Sequence, residues 1–435
     1  MERLGHRNWL LLEAADHAGG LASSVRDAAG FTWDLGGHVV FSHFGEFDLL
    51  LEEVMGEDVL HHDRSSYVRF GASWVPYPFQ HNLRHLPAPV QEECLEGLAG
   101  APGGEAGMDF ASWIRAVFGA GIARHFMYPY NLKVWATPPE EMSSDWIADR
   151  VPVVDYERAL RNVREGRDDV AWGPNNRFVF PARGGTGEIY RRLAARLAPG
   201  IRFGSRVVEV DADLRAVRLR SGEQLPYDAL VSTIPLTQLV AAVPRAPPAL
   251  RSAAAELHHN GVLMVGVGYE GPLADKRSWM YFPESSTPFY RVTNFAKYAA
   301  ANVPEADTAR FGSLMTETSF SEHRPQQRDG LQERVIDALR RDGLMPASAP
   351  VASVHVERIE LAYPVPTLGR DGALAAIQPW LMERKILSRG RFGAWRYELG
   401  NMDHAVKMGI DAARLAASGT PEELWRHPSG ALSQA

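Results

Sequence analysis

The sequence predicts an α/β protein, in which a Rossmann-like nucleotide-binding domain with a truncated N-terminal βαβ unit carries an inserted helical lobe and an inserted antiparallel β-sheet lobe. Three observations point there. The apolar run Trp9-Leu10-Leu11-Leu12 has the length of a buried parallel strand and ends on an acidic residue, Glu13. A second nucleotide-domain signature, strand then hairpin then strand, occupies Ile201 to Pro235. Between and beyond these, one stretch reads as helical (77–177) and another as mostly β (246–385).

The N-terminal stretch sets the frame. In a dinucleotide-binding βαβ unit, the carboxylate at the tip of the second strand accepts hydrogen bonds from ribose hydroxyls, and Glu13 is read in that role. A half-buried strand with a surface glutamate reads equally well on this stretch alone. The Gly-rich turn of such a unit lies about 20 residues before the carboxylate, yet only twelve residues precede Glu13. Met1 to Asn8 therefore reads as the tail of a helix, with Leu4 inward and Gly5 at its C-cap, and the chain as starting mid-motif. The glycine pairs Gly19-Gly20 and Gly36-Gly37 would let backbone lie against a flat or charged cofactor where a Cβ would intrude.

Further along, Phe47 to Met55 has a helical period, and Tyr67 to Val75 reads as a strand pair turning at Gly71-Ala72. Pro76-Tyr77-Pro78-Phe79-Gln80 is too proline-rich for a central strand and reads as a cavity-lining loop. Leu98 to Met108 reads as a connector, Phe110 to Tyr130 as helical, and Asp145 to Val163 as mainly helical. After Gly184-Gly185-Thr186-Gly187 an amphipathic helix spans Glu188 to Leu197. From Gly261 to Val356 strands dominate, with one helix from Leu331 to Arg341. Ile386 to Ala417 reads as a strand, a loop and a helix capped by Asn401 or Asp403, whose free N–H groups suit a phosphate or a ring oxygen. Ser418 to Ala435 reads as a frayed tail.

Composition narrows the class. The 435 residues, 45% apolar and 23% charged, suit a soluble enzyme of several lobes. A net charge of −7 argues against a general nucleic-acid binder. The single cysteine, Cys94, excludes an internal disulfide and fits a cytoplasmic setting. No apolar run has the length of a membrane span or a signal-peptide core. No nucleophile elbow or Cys/His pair stands out, and the neighbours His61-His62 and His258-His259 read as surface residues, so no metal site is expected. A bound cofactor is then expected to carry the chemistry.

What does stand out is a set of aromatics and arginines in cavity-type loops: Tyr77, Phe79, Trp135, Trp279, Tyr281, Tyr290, Tyr363 and Tyr397, with Arg150, Arg291 and Arg391. Paired guanidiniums can clamp a diphosphate, tyrosine hydroxyls can donate to the same oxygens, and an aromatic beside an amide (Asn131, Gln80) can hold a pyrimidine. Each taken singly is more often structural; the set is what persuades.

Several stretches resemble the UDP-galactopyranose mutase family, specifically its eukaryotic-type branch. They are Gly19-Gly20-Leu21-Ala22-Ser23, Trp33 to His43, Trp74 to Gln80, Tyr128 to Thr137, Trp172 to Asn175, Ala362 to Asp371 and Gly390 to Glu398, in family order over nearly the whole chain. The resemblance implies a flavoenzyme of the amine-oxidase-like superfamily that interconverts UDP-galactopyranose and UDP-galactofuranose. Reduced FAD would act through N5 as nucleophile on the anomeric carbon, with NAD(P)H as reductant. The FAD-binding domain would comprise residues 1–76, 178–245 and 386–435, and a homo-oligomer is compatible with the resemblance.

By matching position, the resemblance gives Arg150 and Arg291 the diphosphate, shared with Tyr281, Tyr363 and Tyr397. It gives Tyr77, Gln80, Asn131 and Trp135 the uridine, and Asn175, Trp279 and Asn401 the phosphate or sugar. His38 would belong to a loop beside the flavin. Glu13, Gly20, Leu21, Ser23, Gly37, Val208, Arg391, Asn401 and Met402 would contact FAD, Met402 standing where a polar amide is expected. The glycine-pair signature is shared with amine oxidases and protoporphyrinogen oxidases, so a hydride-transferring oxidoreductase is the alternative enzyme. A chain lacking the Gly-rich loop and free of FAD is the alternative without catalysis.

Overall fold

A computed structural model describes residues 1–147, 150–273 and 275–426. Its largest element is a seven-stranded sheet built from β1 (Ser66–Phe70), β2 (Ser73–Pro76), β3 (His259–Glu270), β4 (Trp279–Tyr281), β5 (Arg291–Asn294), β6 (Phe311–Phe320) and β7 (Val351–Pro364). The order is β7-β3-β6-β5-β4-β1-β2, antiparallel throughout except where β4 runs parallel to β1. The expected strand pair at Tyr67 to Val75 is therefore real. Its partners are strands of the β lobe, whereas the sequence placed it with the nucleotide-binding part. Strands β3 and β6 are buried on both faces because Leu331–Arg341 covers one side and Phe31, Trp33 and Phe295 pack on the other. Glycine is required where those rings press on β3: a Cβ on Gly266 would lie 2.5 Å from the Trp33 ring.

The helical lobe holds Ala88–Ala99, Phe110–Ile122, Tyr128–Trp135 and Tyr156–Arg164. Asp109 and Asp155 start two of these as side-chain N-caps, each accepting from the N–H three residues on at 2.8 Å. The first two helices touch backbone to backbone, since a Cβ on Gly119 (φ 72°) would meet the Gly97 carbonyl oxygen at 2.0 Å. Asp145 to Val163 is less α-helical than expected: its α-helix runs Tyr156–Arg164, and residues 148 and 149 lie outside the described residues.

The nucleotide-binding part contains two short parallel pairs, Leu11–Leu12 with Ile201–Arg202 and Leu230–Ser232 with Ile386–Ser388, not hydrogen-bonded to each other among the described residues. Leu10 and Leu11 are exposed, contrary to the expectation of a buried strand, and Leu4 faces solvent instead of the interior. Helices Pro248–Ala255 and Arg370–Glu383 pack around Leu236, Leu239 and Ile386, in the same core as these strands. The final helix runs Met402–Ser418. A further turn, Glu423–Arg426, follows within the expected frayed tail, whose remainder from residue 427 lies outside the described residues.

Candidate active site

The helical lobe, the large sheet and the nucleotide-binding part meet around one cavity of about 360 Å³. Sheet irregularity shapes one wall. Residues pair Asn260 with Tyr363 and then Val262 with Ile359, so β7 spends extra residues there and bulges. The bulge turns Ala362 and Tyr363 into the cavity.

Two guanidiniums reach the cavity from different parts of the chain. Arg291, on β5, donates from Nε to Glu317 Oε1 at 2.8 Å, with Nη2 at 2.6 Å from the same oxygen. Glu317, 2% exposed on β6, also accepts from Gly37 N–H at 2.9 Å and from the Tyr290 hydroxyl. Burial alone would raise the Glu317 carboxyl; Arg291 and these donors hold it below its ordinary value. Arg150 has neutral partners instead: Asn401 Oδ1 at 3.0 Å, the Glu398 carbonyl, and the Tyr397 ring 5.3 Å away. Its desolvation lowers its pKa.

Tyr77, Tyr281, Tyr363 and Tyr397 line the same space. Burial raises the pKa of Tyr77, Tyr281 and Tyr363, which keeps their hydroxyls protonated and able to donate. Trp135 packs edge-on against Tyr397, with ring centroids 4.7 Å apart, and against Trp146. Gln80, which also lines the cavity, is buried with its Nε2 on the Pro152 carbonyl, while its buried Oε1 has no partner among the described residues. Asn131 lines the cavity and donates to Met127 O at 2.8 Å, and Asn175 accepts from Arg64 at 2.7 Å. Trp279 does not line it; its indole N–H supports the Tyr281 hydroxyl at 2.7 Å.

The opposite end is built from Leu21, the Gly36-Gly37-His38 loop, Arg391 and the start of the last helix. Gly37 leaves no room for a side chain: a Cβ would stand 2.3 Å from Thr293 Oγ1. His38 is half-buried, with desolvation and then Arg391 pushing its pKa down to about 4, and its buried Nδ1 is unpartnered among the described residues. Arg391 donates to the Gly400 and Ala362 carbonyls at 2.9 and 3.2 Å. Asn401 occupies the helix N-cap position but makes no capping bond, its side-chain oxygen being taken by Arg150, so the expected Asn401 or Asp403 cap is absent. Met402 and Asp403, in the first turn of this helix, line the same cavity end, and the first N–H groups of a helix have no intrahelical acceptor. A neutral half-buried imidazole, a side-chain-free loop and a helix N-terminus without a side-chain cap fit one end of a flat ring with an electron-rich edge.

Behind this end, Asp403 accepts from the N–H and Nδ1 of both His43 and His404, at 2.7 to 3.1 Å. These three side chains lie close enough to ligate a metal. Four N–H donors already occupy the two carboxylate oxygens, so the cluster is built as a hydrogen-bond anchor. Glu13, Gly20, Ser23 and Val208 lie away from the cavity lining. Glu13 Oε1 accepts from Ala15 N–H at 2.8 Å, Gly20 takes a left-handed turn (φ 53°), Ser23 is buried, and Val208 sits on the edge strand of a three-stranded sheet. Glu317, Arg64 and Trp146 were not singled out from sequence, and Asp403 was expected only as a helix cap, not as the partner of His43 and His404. A lone acid or arginine in a polar stretch carries no signal before its partner is known.

Residues 1–417 match the family described as flavin containing amine oxidoreductase. A crystal structure of reduced UDP-galactopyranose mutase superposes with a TM-score of 0.95 at 39% identity, covering 99% of this chain and 93% of that one. Cyclohexylamine oxidase from Brevibacterium oxydans IH-35A (TM-score 0.64, 16% identity, 94% and 93% covered) shares the fold. So does a CLA-producing fatty acid isomerase from P. acnes (TM-score 0.63, 13% identity, 96% and 94% covered).

Proposed function

The chain belongs to the UDP-galactopyranose mutase family, within the flavin containing amine oxidoreductases, and from that premise we propose how its own residues interconvert UDP-galactopyranose and UDP-galactofuranose. The observation that carries this reading is Arg150, a guanidinium on the cavity wall whose hydrogen-bond partners are all neutral. A desolvated cation without a bonded carboxylate favours an anionic ligand. Arg291, already paired with Glu317, directs its remaining N–H donors to the same anion from the sheet side. The two hold a diphosphate, with the hydroxyls of Tyr281, Tyr363 and Tyr397 donating to its oxygens.

Tyr77, Trp135 and Asn131 hold the uridine, with Gln80 Oε1 as acceptor for the uracil N–H. Asn175 faces the phosphate or sugar, and Trp279 acts through Tyr281. Leu21, Gly37, His38, Arg391, Asn401 and Met402 hold the flavin ring, and Glu13, Gly20, Ser23 and Val208 the rest of FAD. Bound and reduced, FAD supplies the nucleophile that the protein lacks. The chain's residues keep the departing UDP beside the sugar, so that its return is effectively intramolecular, and the buried aromatics keep water out. NAD(P)H serves as reductant, and the cytoplasm is the compartment proposed. Among the described residues no helix is long and apolar enough to cross a membrane.

The test is turnover. Protein loaded with FAD and reduced with dithionite is incubated with UDP-galactofuranose, and UDP-galactopyranose is followed by chromatography. Oxygen consumption with amines and no sugar turnover would instead support an oxidase.

A further inference from the structure

Asn260, at the start of β3, is fully buried and makes three hydrogen bonds that join two walls of the cavity. Its Nδ2 donates to the carbonyls of Val134 (2.9 Å) and Trp135 (3.1 Å), the last two residues of the helix Tyr128–Trp135. Its Oδ1 accepts from the Tyr363 N–H at 3.0 Å, where the bulge in β7 disturbs the ladder with β3. The carbonyls at a helix C-terminus and a displaced strand N–H are groups that cost free energy if buried without partners. A side chain serving all three must offer two donors and one acceptor from one rigid plane, which a carboxamide does and a carboxylate or hydroxyl does not.

We propose that Asn260 is a positioning residue for nucleotide recognition: it fixes Trp135 relative to Tyr363, and so sets the width of the cavity where uridine meets diphosphate. It touches neither ligand nor cofactor and acts through those two side chains. Both belong to the same aromatic cluster, with ring centroids 6.1 Å apart, so a shift of either backbone changes the gap directly. The proposal rests on the UDP-sugar reading of the site.

Asn260→Asp keeps the acceptor for Tyr363 and turns the two donor contacts into repulsion; Asn260→Ser, uncharged and smaller, serves if the first fails to fold. Both are compared with unaltered protein for UDP affinity by calorimetry and for kcat and KM with UDP-galactofuranose, per bound flavin. Kd for UDP and KM are expected to rise about tenfold, with kcat changed less than about threefold. A purely structural role would lower the active fraction and leave KM and Kd where they were. Folded variants with unaltered Kd and KM overturn the inference while leaving the function standing. Unaltered protein that binds no UDP overturns the function, and the inference with it.

Discussion

Gly37 and Glu317 are 280 positions apart in the chain, and the Gly37 N–H lies 2.9 Å from Glu317 Oε1, the same oxygen that receives Arg291 Nε at 2.8 Å. One buried carboxylate thus joins the Gly36-Gly37-His38 loop, proposed for the flavin, to Arg291, proposed for the diphosphate. The placement of either depends on the other.

Replacing that carboxylate leaves Arg291 and the Gly37 N–H unmatched. Glu317→Ala is expected to cost about 3 kcal/mol or more of stability, as removal of one member of a buried pair does, and to abolish most turnover; Glu317→Gln should lose less stability. Denaturant titration and steady-state assay check both. Because the Glu317 pKa is lowered in the fold, its stabilisation is present above the ordinary value of 4.5 and is lost as pH falls through the lower native value.

Arg150→Ala should weaken UDP binding by about 2 kcal/mol, roughly thirtyfold, by removing charge-assisted bonds to the diphosphate. Its effect on stability should be small or favourable, since the fold gives this cation no bonded carboxylate. Calorimetry with UDP, beside thermal melts, separates the two effects.

Asp34 is fully buried, and desolvation lifts its pKa to about 7 despite hydrogen bonds from Ser24 and Thr186. The native state therefore holds a proton that the unfolded chain releases near 3.8. This contribution to stability is complete below about pH 3.8, declines as pH rises toward 7, and levels off above it. Asp34→Asn should flatten that part of the stability profile, measured as Tm against pH.

Gly37→Ala places a Cβ 2.3 Å from Thr293 Oγ1 and 3.2 Å from Glu317 Oε1. The loop must move, and the flavin bound per chain, read from its absorbance, should fall severalfold with the melting temperature much less affected.

Sequence alone determined what depends on near neighbours. Hydrophobic period placed the helix Leu331–Arg341, whose one buried face repeats along a short segment, and short runs around Val262 and Ser313 marked strands β3 and β6, which are buried on both faces. The aromatics and arginines were legible as a set, but not the elements that carry them: the expected loops are partly regular structure, with Trp135 ending a helix and Tyr281, Arg291 and Tyr363 on β4, β5 and β7. Only the tertiary structure decided which of them meet. It brought Arg150 and Arg291 to one cavity, left Trp279 behind Tyr281, and passed the Asn401 side chain from its own helix to Arg150. It also revealed Glu317 and Asn260, whose importance lies in partners more than a hundred residues away. The physical reason is common to both. A buried polar group must find its complement wherever the chain brings one, and that choice is made by the packing of whole elements rather than by any local pattern.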